Sequence, residues 1–388
     1  MARGNGEGTI VKRKDGRWMG AVTIGTDPET GKPDRKYIYG KKRKEVARKM
    51  TELKQKLFDG SFIKQSEIKL GEWLTRWNEG RKSQLAYNTY RAYKVWINKH
   101  IIPELGEVKL KEVKARQIQN LLNKKLEKRS PNNDKGLSVN SIKHIYATIH
   151  TALSQAVKEQ LIVRNVAASV TPPKKQEEKK LQTWTKDEVN KFLAQAKGHK
   201  YFIIYYLAVN TGMRRGELIG LKWSDIDFNK NRIEINRQVQ RTDEGLIFKK
   251  PKSKAGYRVI PTTPDVIKQL KKQKIRQNEK KLALGSNYND DLDLICSNMV
   301  GNPIEPTKVY KYYKEISRAA DLPEIKFHDL RHTFSTLFLQ SNGNIKTLQQ
   351  ILGHSSISVT MDTYSHVTDE MLDSAAKNIE MMYKANFN

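Results

Sequence analysis

The sequence predicts a multidomain, mainly α-helical chain with small β-sheets. The expected order is an N-terminal three-stranded sheet plus helix, a helical bundle, and an α-rich C-terminal domain with a small sheet. Three observations predict it. Short β-branched and aromatic runs crowd the first forty residues, apolar residues then recur at helical spacing over 66–171, and a polar, proline-bearing stretch separates these from the rest. At 388 residues the chain also exceeds one ordinary domain.

In residues 1–64, Thr9-Ile-Val-Lys12, Trp18 to Ile24 and Arg35 to Tyr39 read as strands, the last two flanking the turn-rich Asp27-Pro-Glu-Thr-Gly31. Lys41 to Phe58 lacks Gly and Pro and spaces Val46, Met50, Leu53 and Leu57 as one helix face. In 66–171, Leu70, Trp73, Leu74 and Trp77 share a face. A second helix from Asn88 to Ile101 is expected to stop at Pro103, and Ala115 to Leu126 and Ser138 to Gln160 continue the bundle. Ser130 to Gly136 is loop, and Thr171-Pro-Pro to Lys180 is a linker, giving a boundary at 172–181. In 182–388, Thr185-Lys-Asp-Glu188 is a capping box, and Tyr201 to Asn210 is an apolar helix ending near Gly212. Arg232 to Ile235, Leu246 to Phe248 and Tyr257 to Ile260 are strand-like. Helices resume from Pro264, Thr307, His328 and Asn344, and the tail 369–388 spaces Met371, Leu372, Ala375, Ala376, Ile379 and Met382 as an amphipathic helix.

Charge narrows the function. Lys and Arg number 72 against 42 Asp and Glu, a net of +30, and clustered cations of this kind bind phosphates and release counterions. A polyanionic partner, double-stranded DNA, is expected. Arg17, Arg35, Lys36 and the run Lys41, Lys42, Arg43 would let the small sheet address a groove, although such a run also serves as a solvated helix start. The longest apolar run, Tyr201 to Val209, is less than half a membrane span, and Met1 to Gly8 has no apolar signal segment; a cytoplasmic location without membrane is expected. The single cysteine, Cys296, leaves neither a disulfide nor a cysteine-cluster zinc site.

Five residues carry phosphodiester chemistry. Arg214 in Thr-Gly-Met-Arg-Arg-Gly-Glu follows a helix end, where its planar fork matches phosphate oxygens or pairs with Glu217. His328 and Arg331, three apart at a helix start, put an imidazole and a clamp on one face. His354 follows the Leu352-Gly C-cap, and Tyr364 lies in Asp-Thr-Tyr-Ser-His. His328 and His332 also have the spacing of a zinc helix, but Asp329 stands where zinc proteases need Glu, so no metal is expected.

In this order the residues resemble the tyrosine recombinase, or phage integrase, family, especially integrases of phages and conjugative transposons from Gram-positive bacteria. The similarity spans the chain: 1–64 resembles an arm-type DNA-binding domain, 66–171 a helical, SAM-like core-binding domain, and 182–388 the catalytic domain with an exchange tail. Thr211-Gly-Met-Arg-Arg-Gly-Glu-Leu and Leu352-Gly-His-Ser-Ser-Ile-Ser-Val-Thr are close to the family's wording. The resemblance implies a β-hairpin lysine, assigned to Lys252 of Pro-Lys-Ser-Lys with Lys254 as the alternative. It also implies attack by Tyr364 to give a 3′-phosphotyrosyl bond, Arg214 and Arg331 on the non-bridging oxygens, His328 accepting the tyrosine proton and Lys252 donating to the leaving oxygen. No cofactor is implied, neither ATP nor metal. Implied partners are core and arm-type sites on DNA, three further copies in a tetramer, and an excisionase and a host DNA-bending protein. Two alternatives remain open on sequence, a type IB-like topoisomerase and a non-catalytic DNA-binding protein with the same fold; the separate N-terminal unit disfavours the first and the intact residue set the second.

Overall fold

The computed structural model of the chain describes residues 9–26, 31–58, 67–127, 136–174, 182–251, 253–358, 360, 361 and 364. Two compact units divide the chain, Met1–Glu178 and Lys179–Asn388. The Asp27–Gly31 turn, the Ser130–Gly136 loop, the end of the linker and the 369–388 tail fall wholly or largely outside the described residues.

The first unit contains two separate apolar cores. Strands β1 (Thr9–Lys12), β2 (Trp18–Thr26) and β3 (Pro33–Gly40) form the expected antiparallel sheet in the order β1-β2-β3. Side chains alternate across a strand. Ile10, Trp18, Val22, Ile24 and Ile38 therefore cover Val46, Met50 and Leu53 of helix α1 (Arg43–Phe58). The helix lies so near the sheet that a Cβ on Gly20 would come within 2.2 Å of Met50 Sδ and 2.9 Å of Val46 Cγ1, so any larger residue would push these side chains aside.

The second core belongs to the bundle. Its helices are α2 (Leu70–Gly80), α3 (Tyr87–Trp96), α4 (Ile102–Leu105), α5 (Ala115–Glu127) and α6 (Val139–Lys158). Trp73 and Trp77 fill its centre, and the Trp73 indole N–H donates to Ala152 O at 3.0 Å. Pro103 does not stop the second helix as the sequence suggested. A π-helical turn, Ile97–Ile101, precedes it and runs directly into α4; the wider turn is a common way for a helix to absorb an interrupted ladder.

The second unit starts with the capping box: Glu188 N–H donates to Thr185 Oγ1 at 3.3 Å and Thr185 N–H to Glu188 Oε2 at 2.7 Å, opening α7 (Lys186–Ala196). Helix α8 (Phe202–Thr211) is apolar on nearly every side and lies inside the core, with α9 (Arg215–Gly220) after it. The expected small sheet is resolved into two. Strands β4 (Ile226–Asp227), β5 (Arg232–Ile235) and β8 (Arg258–Pro261) form a three-stranded sheet, while β6 (Gln238–Thr242) and β7 (Gly245–Lys249) form a separate hairpin. Helices α10 (Pro264–Leu284), α11 (Pro306–Ala319), α12 (Asp329–Gln340) and α13 (Ile345–Leu352) complete the described unit. Among the described residues no helix is long and apolar enough to cross a membrane.

Because Trp73 is fully buried and hydrogen-bonded, Trp73→Ala should destabilise the bundle by about 3–5 kcal/mol. Urea denaturation followed by tryptophan fluorescence measures this, and a loss below about 1 kcal/mol would contradict the packing.

Candidate active site

Gly212 ends α8 in the left-handed region, φ +61, where a Cβ would stand 2.5 Å from the Phe334 ring of α12. Two residues later Arg214, in extended backbone, begins α9. Its N–H and its Nη1 both donate to Glu217, at 2.8 and 3.0 Å, so the carboxylate fixes main chain and side chain together. Roughly a third of the Arg214 side chain stays exposed (37%). It lines a cavity of ≈ 260 Å³ with Glu217, Arg237, Gln238, Pro251, Ser253, Gly256 and Gly353.

Arg331 has the opposite character. It is 4% exposed and turns inward, donating from Nη1 to Gly212 O at 2.7 Å and from Nη2 to Leu352 O at 2.5 Å. Burial and the neighbouring Arg214 pull its pKa down, yet a guanidinium stays charged. Arg258 is equally buried: it grips Glu217 with Nη1 and Nη2 at 3.0 and 2.8 Å and donates from Nε to Ile351 O at 2.5 Å. Arg214 Nη2 approaches Gly353 O at 3.5 Å, the limit of a hydrogen bond. Three guanidinium groups thus meet the successive carbonyls of 351–353, which have no partners inside the helix. Gly353, φ +66, is needed there, because a Cβ would lie 2.6 Å from Ala255 O.

The histidines and the tyrosine lie on the same framework. His354 shares a hydrogen bond of 2.9 Å between Nδ1 and Thr360 Oγ1. His328 sits at the start of α12, its ring edge-on to His332 at 5.3 Å. Burial, aided by nearby cationic groups, lowers both His328 and His354 to about 4, so both are neutral near pH 7. Tyr364 is 1% exposed and packs with Leu339, Leu348 and Leu352. Its hydroxyl stands 2.8 Å from Nδ1 of His332. Burial raises the phenol's pKa, opposed by Ser335 and Arg331. Among the described residues no group of three or more His, Cys, Asp or Glu is placed to hold a metal ion.

Of the residues singled out on sequence, Arg214, Arg331, His354 and Tyr364 come together around 351–354, with His328 beside His332. Lys252 lies outside the described residues; Pro251 and Ser253, which flank it, line the Arg214 cavity. They belong to the connection between β7 and β8, where Lys254 is exposed. The sequence reading passed over two residues. Arg258 was hidden among the basic residues of 249–258, and His332 was weighed only as a zinc ligand. The signal for Arg258 was an arginine opening an otherwise apolar strand.

Trp18 pairs with Gly40, so Arg17 and the run Lys41, Lys42, Arg43 adjoin the same end of the sheet, whereas Arg35 and Lys36 lie further along β3. Alternation along β3 puts Arg35 on the open face with the exposed Tyr37 and Tyr39, and Lys36 on the helix side. Arg17 is paired with Asp15 at 3.0 Å in the β1–β2 turn, and Lys41, Lys42 and Arg43 lead exposed into α1.

Comparison with known proteins places the chain in a family. Residues 182–371 match the model of the phage integrase family, and 69–126 that of the phage integrase N-terminal SAM-like domain. An XerC-like tyrosine recombinase of Caldanaerobacter subterraneus subsp. tengcongensis is 31% identical, over 93% of this chain and 95% of its own. The chain belongs to the tyrosine recombinase (phage integrase) family. Its members are site-specific recombinases that cut and rejoin DNA strands, including those that integrate and excise mobile elements. The fold also matches the Tn1549 transposon integrase in complex with a circular intermediate DNA, with a TM-score of 0.66, 22% identity, and coverage of 81% of this chain and 99% of that one. A lambda integrase tetramer bound to a Holliday junction gives a TM-score of 0.57 at 22% identity, covering 89% and 95%.

Two predictions follow from the buried charges. Glu217→Gln removes the buried counter-charge of Arg258 and should cost about 3 kcal/mol in urea denaturation; an unchanged midpoint would remove Glu217 from the framework. The unfolded chain protonates His328 and His354 near 6.5, the folded chain only near about 4. More protons are then bound by the unfolded state, so stability falls as pH drops from 6.5 towards 4. Melting temperatures across that range should decline, and decline less steeply in His354→Asn.

Proposed function

We propose that this recombinase cuts its DNA with Tyr364 as nucleophile. The tyrosine oxygen bonds to the scissile phosphorus, the bond to the 5′ oxygen breaks, and a 3′-phosphotyrosyl link and a free 5′-hydroxyl result. Arg214 and Arg331 neutralise the non-bridging oxygens as charge develops, and His354 donates a hydrogen bond to one of them. His328 is the family-implied acceptor of the tyrosine proton. Lys252 donates one to the leaving oxygen, with Lys254 as the alternative. One observation carries the reading: a buried tyrosine, two arginines and a histidine are anchored around the same short turn, 351–354. The phosphotyrosyl bond conserves the energy of the broken phosphodiester, so rejoining needs no ATP.

The division of labour is part of the proposal. Residues 1–64 address a distal arm-type site, with Arg35 and the two exposed tyrosines of β3 entering the groove and Arg17, Lys36, Lys41, Lys42 and Arg43 on phosphates. Residues 66–171 and 182–388 each contact the core site, with 172–181 joining them. Four copies assemble on DNA, as in the lambda integrase tetramer, with the tail 369–388 passed to a neighbour. An excisionase and a host bending protein set direction, in the bacterial cytoplasm.

A nicked suicide duplex carrying the attachment site, incubated with chelator, should trap a covalent complex. The adduct should vanish in Tyr364→Phe and persist in Tyr312→Phe; an adduct in Tyr364→Phe, or one that needs a divalent metal, overturns the reading. Arg35→Ala should weaken arm-site binding by about 1–3 kcal/mol and relax its sequence preference, with core-site cleavage unchanged.

A further inference from the structure

We propose that His332, and not His328, takes the proton from the Tyr364 hydroxyl during strand cleavage. The inference rests on the reading of Tyr364 as nucleophile and reassigns its proton acceptor. The tyrosine oxygen is 2.8 Å from His332 Nδ1, within hydrogen-bond reach and closer than a bridging water would allow. No hydrogen bond between His328 and Tyr364 exists among the described residues; His328 meets His332 edge to face instead. His332 follows Arg331 directly on α12, so the strut that ties Gly212 to Leu352 also fixes the helix from which the imidazole projects.

The pair suits proton transfer. Burial lowers the His332 pKa, which keeps the ring neutral near pH 7 and leaves it able to accept. With the proton on Nε2, the Nδ1 lone pair faces the phenol. Burial also raises the phenol's pKa, so free phenolate is scarce and the proton must leave as the oxygen attacks. The charged and titratable groups around His332 are Asp329 and Arg331 on its own helix, the His328 ring, His354 and Tyr364. Asp329 favours the imidazolium and Arg331 opposes it. In the step itself, the bond from tyrosine oxygen to phosphorus forms and the bond to the 5′ oxygen breaks. The tyrosine proton moves to His332 Nδ1, and the leaving oxygen takes its proton from a separate donor. Rejoining returns both.

The test is single-turnover adduct formation on the suicide duplex across pH 5–9, with DNA affinity and melting measured on each variant. His332→Asn keeps a hydrogen-bonding group near the Nδ1 position but cannot take the proton. It should slow the adduct by about 10²-fold with DNA affinity intact, and remove the acid limb of the pH–rate profile. His328→Asn should keep that limb. A His332→Asn rate near wild type, or an acid limb lost only in His328→Asn, overturns the proposal. The wild-type chain supplies an independent readout, since nitrogen NMR should show His332 Nδ1 unprotonated and perturbed by Tyr364→Phe; a protonated Nδ1 would make it a donor and overturn the assignment. The two failures are separable. An adduct in Tyr364→Phe removes the nucleophile itself, whereas its loss there beside normal cleavage by His332→Asn removes only His332.

Discussion

The end of α13 is the fixed point of the C-terminal unit. A helix leaves its last carbonyls without partners and carries partial negative charge there. Here the carbonyls of Ile351, Leu352 and Gly353 face Arg258, Arg331 and Arg214 in turn. Each arginine comes from a different element: β8, α12, and the junction between α8 and α9. Three distant stretches of chain are thereby positioned by one helix terminus, and Gly353 lets the backbone turn tightly enough to make it possible.

Concentrating three cations in so small a volume requires compensation, and Glu217 provides it. Its carboxylate binds Arg258 through both oxygens and also holds Arg214 by backbone and side chain. Burial alone would push the Glu217 pKa up; the Arg258 hydrogen bond and charge, with Arg214, outweigh it and hold the carboxyl below its usual range. One negative group cannot neutralise three positive ones. Arg214, only partly buried, carries part of that surplus into the cavity it lines, alongside Arg237. Burial, reinforced by the same surplus, keeps the surrounding histidines His328 and His354 neutral.

Much of this was legible in the sequence where local chemistry decides structure. The Thr185 capping box, the Gly212 and Gly353 helix ends, and the strand and helix periodicities of residues 9–58 depend on neighbours a few positions away. What escaped depends on distant contacts. Pro103 looked like a stop because the π turn that absorbs it has no sequence mark. Arg258 was one cation among many in 249–258 until its partner 41 residues away was known. His332 and Tyr364 are 32 residues apart, and neither motif indicates that the hydroxyl faces the second histidine of α12 instead of the first.

That last point bears on how the reaction can be switched off. A phenol buried to 1% exposure is shielded from water and misplaced phosphates, and burial raises its pKa so that it stays protonated until a base takes the proton. On the proposed reading, its reactivity depends on a phosphate reaching Arg214 and Arg331, whose charges would stabilise the developing oxyanion. The groups that would make the tyrosine reactive are the same ones that hold the α13 terminus. On that reading, activation has to bring the buried Tyr364 to the DNA without breaking the contacts that hold the α13 terminus.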